Sequence, residues 1–337
     1  MPLVLPRIQV YDKFINRIIP KIKKARFMGS TPLFWIIFNA FVLVMLWLDL
    51  RVFHRDAHEV APREALKWSL IWVILSLSFG AGLFIFMGHD KGLEFLSGYL
   101  VEKSLSIDNI FIFSVVFHTL SIPLKYQHRI LFWGIFGALI MRGLMIWFGV
   151  TLIVYFHQIL YLLGAFLIYS GLKILWLTDK RFEVETHPII LFLQRYISLT
   201  SKIEGPQLWI RSKEAPRRWQ ATPLFVALAL IEGSDLLFAI DSVPAIFAIT
   251  LDPFIVYTSN VFAILGLRSL YFLLADAIER FYYLKSSVAL ILCFVGIKMV
   301  MMDIYKISTE WSLLVILLIL GGGIGLSFWC RSQNCRK

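Results

Sequence analysis

Phe95–Phe117 and Pro223–Thr250 are apolar enough to sit in lipid, yet each carries acids near its middle. The first holds Glu102, Asp108 and Asn109; the second holds Glu232, Asp235, Asp241 and Ser242. Laid over each other, the two share one pattern. An acid is followed, six residues on, by an aspartate and then by a small amide or hydroxyl: Glu102 with Asp108-Asn109, and Asp235 with Asp241-Ser242. A carboxylate at the centre of a membrane span costs roughly 2.5–3.5 kcal/mol on insertion scales, so acids in such numbers require a purpose, and the default is an ion pathway. A lone acid is as often the structural partner of a buried arginine or lysine. Two matched clusters are not so easily explained.

On an unbroken helix Glu232 and Asp235 are neighbours, whereas Asp241 lies about half a turn round from Glu232, and Asp108 about 240° from Glu102. Either the acids address different neighbours or the helices are interrupted. Gly233, Pro244 and the Ser104–Ser106 run favour interruption, which would expose carbonyls beside the carboxylates. Carboxylate, amide, hydroxyl and carbonyl oxygens suit hard cations such as Mg²⁺, Ca²⁺ and Mn²⁺. The expected ligand set is Glu102, Asp108, Asn109, Glu232, Asp235, Asp241 and Ser242, with Asp108 and Asp241 about a shared ion. No thiolate lies near, which disfavours Cu(I). The seven histidines fall in loops or at span edges, against a haem or a His-rich zinc site in the membrane. No tightly bound cofactor is expected.

The elements that must position these groups follow from composition. A chain of 337 residues with 59% hydrophobic and 16% charged residues is an all-α polytopic membrane protein, not a large soluble core. A span takes about 20 apolar residues, and about nine transmembrane helices are predicted: 33–50, 68–88, 95–117, 130–153, 158–177, 223–250, 255–275, 287–302 and 311–329. The repeat extends past the acids. The following span of each half carries an arginine, Arg142 or Arg268; the one after ends in Gly171-Leu172-Lys173 or Gly296-Ile297-Lys298, with Asp179 or Asp303 at the boundary. These four basic residues are expected to balance the carboxylates, or else to snorkel to the interface. Three spans per unit is odd, so the second unit enters the membrane upside down. The expected architecture is an inverted 3+3 helix repeat, 95–177 and 223–302, with two additional helices (33–88) before it and a last helix and short tail (311–337) after.

The net charge of +11 points to lipid rather than nucleic acid, because lysine and arginine lie between and beside the spans. Residues 1–31 form a basic leader without the apolar run of a cleaved signal peptide. Basic residues on the side of the 178–222 loop and the tail outnumber those opposite by about two to one, which places that loop and the C-terminus in the cytoplasm although the leader argues otherwise. Cys293 lies in a span and Cys330 and Cys335 near the C-terminus, where free thiols in a reducing compartment are expected.

The runs EKSLSIDNIFIF (from Glu102) and IEGSDLLFAIDSVPAIFAITLDPFIVYTSNVFAILGLRSLYF (from Ile231), with the paired GLK and GIK, resemble the TerC family of integral membrane proteins and its Alx branch. The resemblance covers roughly 33–302. It implies a helical protein of the inner membrane related to LysE-type transporters and associated with manganese efflux and tellurite resistance, with family acids at Glu102, Asp108, Glu232, Asp235 and Asp241. The expected function is therefore secondary export of a hard divalent cation, manganese before Ca²⁺ or Mg²⁺, in exchange for H⁺ or Na⁺. The alternative is a non-transporting scaffold for metal delivery to exported proteins or for tellurite resistance. An enzyme is not expected: an intramembrane aspartyl protease commonly shows Gly-x-Gly-Asp, and only Gly233-Ser234-Asp235 comes near it.

Overall fold

The structure, a computed structural model, describes residues 32–52, 62–156, 158–176, 195–200, 203, 205–211, 219–274, 283–305 and 307–332. The leader, most of the 178–222 loop and the last residues of the tail lie outside this set. The order is α1 (Pro32–Val52), α2 (Pro62–Met87), α3 (His89–Thr119), α4 (Leu124–Tyr155), α5 (Ile159–Trp176), β1 (Trp209–Arg211), β2 (Trp219–Ala221), α6 (Pro223–Phe247), α7 (Pro253–Leu265), α8 (Leu267–Leu274), α9 (Leu284–Val300) and α10 (Thr309–Ser332). Four helices, α1, α2, α6 and α7, open on a proline, whose missing N–H and fixed φ suit the first helical position. Between α2 and α3 the chain turns on Gly88, at φ 97°, a conformation that disfavours any side chain.

Among the described residues, six helices are long and apolar enough to cross a membrane: Arg63–Met87, Leu124–Tyr155, Ile159–Trp176, Pro223–Phe247, Pro253–Leu274 and Thr309–Ser327. Three further predicted spans also fall on helices. Of these, α3 is long but carries Glu94, Glu102, Lys103 and Asp108; α9 has 17 residues; the apolar part of α1 runs Pro32–Leu48.

The chain forms two compact units, one of Met1–Asp56 with Asp252–Phe254 and one of Ala57–Leu251 with Ile255–Lys337. In the first, the rings of Trp35 and Phe38 meet Phe254 at 5.5 and 6.0 Å. In the second, α5 and α9 make the most extensive helix pair. A Cβ on Gly296 would stand 2.7 Å from the Gly164 carbonyl oxygen, and one on Gly171 would stand 2.6 Å from that of Ala289. Position 164 thus meets 296 while 171 meets 289, so these helices run in opposite senses. Backbones this close are how helices associate where lipid removes the hydrophobic drive. The acidic helices are opposed as well, since Gly98 of α3 lies against Ile246 of α6 and Asn109 against Asp235.

Interruption of the acidic stretches is not what the structure shows. Both α3 and α6 are continuous helices. Pro244 falls in the last turn of α6, where its ring removes one ladder bond next to a terminus. Ser104 and Ser234 turn their hydroxyls back to the carbonyls of Leu100 and Leu230, four residues earlier, and stay helical. The break lies instead at Gly266, between α7 and α8. In the 178–222 loop, β1 and β2 pair antiparallel, Ile210 opposite Gln220, and Thr222 donates to the carbonyls of Gln207 and Leu208 just before α6 begins.

Candidate functional site

Four helices of the second unit converge on Arg142. The guanidinium belongs to α4 and is 1% exposed, as is its partner Glu102 of α3. Its Nη1 donates to Glu102 Oε1, to Asn260 Oδ1 of α7 at 2.8 Å and to Ser242 Oγ of α6 at 3.3 Å; Nη2 donates to Asp235 Oδ1 at 3.3 Å. Asn109 Nδ2 donates to the same Asp235 oxygen at 3.0 Å. Arginine suits this position because its fork holds several donors at fixed angles and does not lose its proton.

The partners cross between the two acidic helices. Asn109 of α3 binds the acid of α6, and Ser242 of α6 faces the acid of α3. Each acid therefore meets the small polar residue that follows the other repeat's second aspartate. The layer lies between two apolar clusters. Ile146, Leu167, Val243 and Leu292 belong to one; Ile110, Phe117, Leu224 and Leu230 belong to the other. Such surroundings keep the local dielectric low and raise the stakes of every polar group left unmatched.

Several groups are left unmatched. Glu102 Oε2, Asp235 Oδ2 and Asn109 Oδ1 are buried acceptors with no donor, and Arg142 Nε is a buried donor with no acceptor. An unsatisfied buried group costs about 1–3 kcal/mol, so three acceptor oxygens in one layer demand an explanation.

The remaining expected residues are placed elsewhere. Asp241 accepts from Ser170 Oγ of α5 at 2.9 Å, with Lys173 of the same helix acting on its charge; it faces α5, not the Arg142 layer. Lys173 Nζ also lies 5.9 Å from the Tyr169 ring centroid. Glu232 packs its carboxylate onto Gly137 of α4, in space that a side chain there would fill. Of the three acids of α6, Glu232 and Asp235, three residues apart, both meet α4, while Asp241 turns to α5, as the 100° spacing allows on an unbroken helix. Arg268 is buried on α8 and Lys298 on α9; the charge of Glu94 bears on Lys298. The Asp108 side chain lies outside the described residues, as does Asp179. Among the described residues no three histidine, cysteine or acidic side chains converge as a ready-made metal cage.

Some participants are not anticipated from the sequence. Asn260 and Ser170 join the acids across helices. Lys103 donates to the Ala263 carbonyl at 3.2 Å, and Glu94 accepts from Thr250 Oγ1 at 2.6 Å and Lys91 Nζ at 2.8 Å. The polar triple Thr258-Ser259-Asn260 within an apolar span is the one prior sign of Asn260.

The model of the integral membrane protein TerC family matches residues 87–335. An uncharacterized membrane protein of Myxococcus xanthus is 50% identical over 295 residues, 88% of this chain and 92% of that relative. The "Putative membrane-bound redox modulator Alx" of Escherichia coli K12 is 43% identical over 317 residues, 91% of this chain and 98% of that relative. A Rickettsia bellii membrane protein is 42% identical over 290 residues, 86% and 95% of the two chains. No solved structure matches the chain. The extent of the family match, together with relatives aligned over nearly their whole length, makes this chain a member of the integral membrane protein TerC family.

Proposed function

We propose that this protein is a secondary transporter of the inner membrane, not an enzyme, that exports a hard divalent cation, manganese, from the cytoplasm in exchange for H⁺ or Na⁺. The observation that carries the reading is the trio of donorless buried oxygens, Glu102 Oε2, Asp235 Oδ2 and Asn109 Oδ1, contributed by two opposed helices. All three are hard ligands of the kind Mn²⁺, Mg²⁺ and Ca²⁺ accept. The choice of manganese among them rests on the family resemblance. Ser242 belongs to this layer, Glu232 and Asp241 extend the proposed path beyond it, and Asp108 is proposed as a further ligand. Arg142 supplies the counter-charge while the cation is elsewhere, and Lys173, Arg268 and Lys298 do so along the path.

The inverted plan fits the same contacts. A shift of 125 residues carries Gly164 and Gly171 of α5 onto Ala289 and Gly296 of α9, and it exchanges the 164–296 contact with the 171–289 contact. A shift of 133 residues carries Glu102 and Asn109 onto Asp235 and Ser242, and it exchanges the Asn109–Asp235 pair with the Ser242–Glu102 pair. An axis in the membrane plane relating 95–177 to 223–302 has this effect, with α3 and α9 crossing the membrane and the site at the midplane.

Asp235→Asn and Asp241→Asn keep size and an oxygen while removing a charge. Loss of one carboxylate from a divalent site is expected to cost about 3 kcal/mol, near a hundredfold in affinity. Manganese export, normalised to the amount of protein in the membrane, should fall to background in both. Normal export by both variants would remove the path from these residues.

A further inference from the structure

Five buried serines, Ser76, Ser104, Ser234, Ser312 and Ser327, each donate to the carbonyl four residues earlier, the usual resting place of a hydroxyl within a helix. Ser106 of α3 does not. It is 0% exposed, and its Oγ has neither the Glu102 carbonyl nor any other hydrogen-bond partner. At about 100° per residue, Ser106 stands about 40° round the axis from Glu102 and about 60° from Asn109, so the three share one face of α3. Glu102 and Asn109 reach the Arg142 layer from that face, and Ser106 comes between them along the axis. Its hydroxyl is thus a fourth unmatched oxygen, beside Glu102 Oε2, Asp235 Oδ2 and Asn109 Oδ1. Ser97 has an equally buried and unmatched hydroxyl, but it lies about half a turn round α3 from Ser106.

We propose that Ser106 Oγ is a ligand of the cation, a neutral oxygen added to the set that Glu102, Asp235 and Asn109 begin; this rests on the cation-site reading above. A hydroxyl brings two lone pairs and no charge, and hard divalent ions fill their shells with such oxygens once carboxylates have supplied the charge. A shift of 133 residues places Ser106 on Ala239, which is just as buried but carries no oxygen. Ser242, the counterpart of Asn109, is occupied as an acceptor by Arg142. The ligand set within the layer is therefore lopsided: α3 supplies Glu102, Ser106 and Asn109, and α6 supplies Asp235. The ion sits against the first repeat, off the axis that relates the two. All four ligands are hard, so a thiol at position 106 turns one of them soft and moves the preference of the site toward a thiophilic ion such as Cd²⁺.

The test uses the full chain in detergent, with Mn²⁺ and Cd²⁺ as probes, and reads binding rather than transport. Ser106→Ala should bind Mn²⁺ about tenfold more weakly than the wild type, while its unfolding midpoint without metal stays equal or rises, because an unmatched buried hydroxyl has gone. Ser106→Cys should bind Cd²⁺ at least about tenfold more tightly than the wild type. It should also add the ultraviolet charge-transfer band of a Cd–thiolate bond to whatever the native cysteines give. Ser97→Cys should do neither. Wild-type Mn²⁺ affinity in Ser106→Ala overturns the proposal, and so does the absence of an added band from Ser106→Cys or an equal band from Ser97→Cys. A lowered metal-free midpoint in Ser106→Ala assigns the hydroxyl a structural role and overturns it as well. In each of these cases Mn²⁺ binding by the wild type leaves the cation site standing. A wild type that binds no Mn²⁺ removes that site, and Ser106 with it.

Discussion

When Arg142 is removed, carboxylates on two different helices lose their counter-charge at once. Breaking a buried pair from one side costs about 3–5 kcal/mol, because the stranded charge stays in a low dielectric. Arg142→Met should therefore lower the unfolding midpoint of the detergent-solubilised protein sharply, and adding Glu102→Gln should recover much of the loss. A single variant as stable as the wild type would show that the guanidinium does not hold these acids. The residues of this layer are legible in the sequence to the degree that they come as twins. Glu102 and Asp235, Asn109 and Ser242, and the two arginines stand out because their spacing recurs in the two halves of the chain. Lys103, Ser170, Asn260 and Gly137 have no twin that marks them. Each acquires a role when another helix arrives beside it, and that is a long-range event that spacing along one helix does not encode.

Whole helices are more legible than their breaks. Prolines at 32, 62, 223 and 253 mark starts because the residue has no N–H to lose there. Gly233 and Pro244 suggest an interruption that does not form, since a single glycine costs a helix only about 1 kcal/mol and a proline near the end costs one bond. Gly266 breaks the helix instead, at a place where Lys103 and Trp72 press close. Glycine's other use, close approach, is invisible until the partner is known. Gly82 of α2 has open space where a Cβ would be, while Gly296 faces the backbone of Gly164. Gly296→Ala should accordingly separate α5 from α9 and cost about 1–3 kcal/mol. Gly82→Ala should leave stability unchanged or raise it by about 0.5–1 kcal/mol through helix propensity. Thermal unfolding of the two variants in one detergent decides the matter, and equal midpoints would refute the tight α5–α9 contact.

At the scale of the whole molecule, the decisive quantity is the number of times the chain crosses the bilayer. Among the described residues six helices qualify by length and apolarity, and α1, α3 and α9 do not, although each covers a predicted span. The inverted plan needs α3 and α9 as crossings, because a unit of two spans would re-enter in the same sense rather than upside down. Their shortfall has a physical cause: α3 carries the acids of the site, and α9 is short with a lysine near its end. Buried partners inside the bundle offset both. On the proposed plan, with all nine crossing, the two termini lie on opposite faces, and the excess of basic residues beside the 178–222 loop makes a cytoplasmic tail the expected outcome. Two single-thiol proteins test this, one keeping only Cys335 and one carrying only Ser30→Cys in the leader. An impermeant maleimide should label the Ser30→Cys protein in intact cells and reach Cys335 only after permeabilisation. Labelling of both termini from the same side would make the crossing number even, so that one of α1, α3 and α9 does not span. If that helix is α3 or α9, the inverted plan falls; if it is α1, the plan stands and only the place of the leader changes. A further cysteine just beyond α9, Ile307→Cys, singles out α9, which spans only if that thiol is labelled from outside and Lys285→Cys at its start is not; Asp90→Cys at the start of α3 then separates α3 from α1, since that thiol is labelled from outside only if α3 spans.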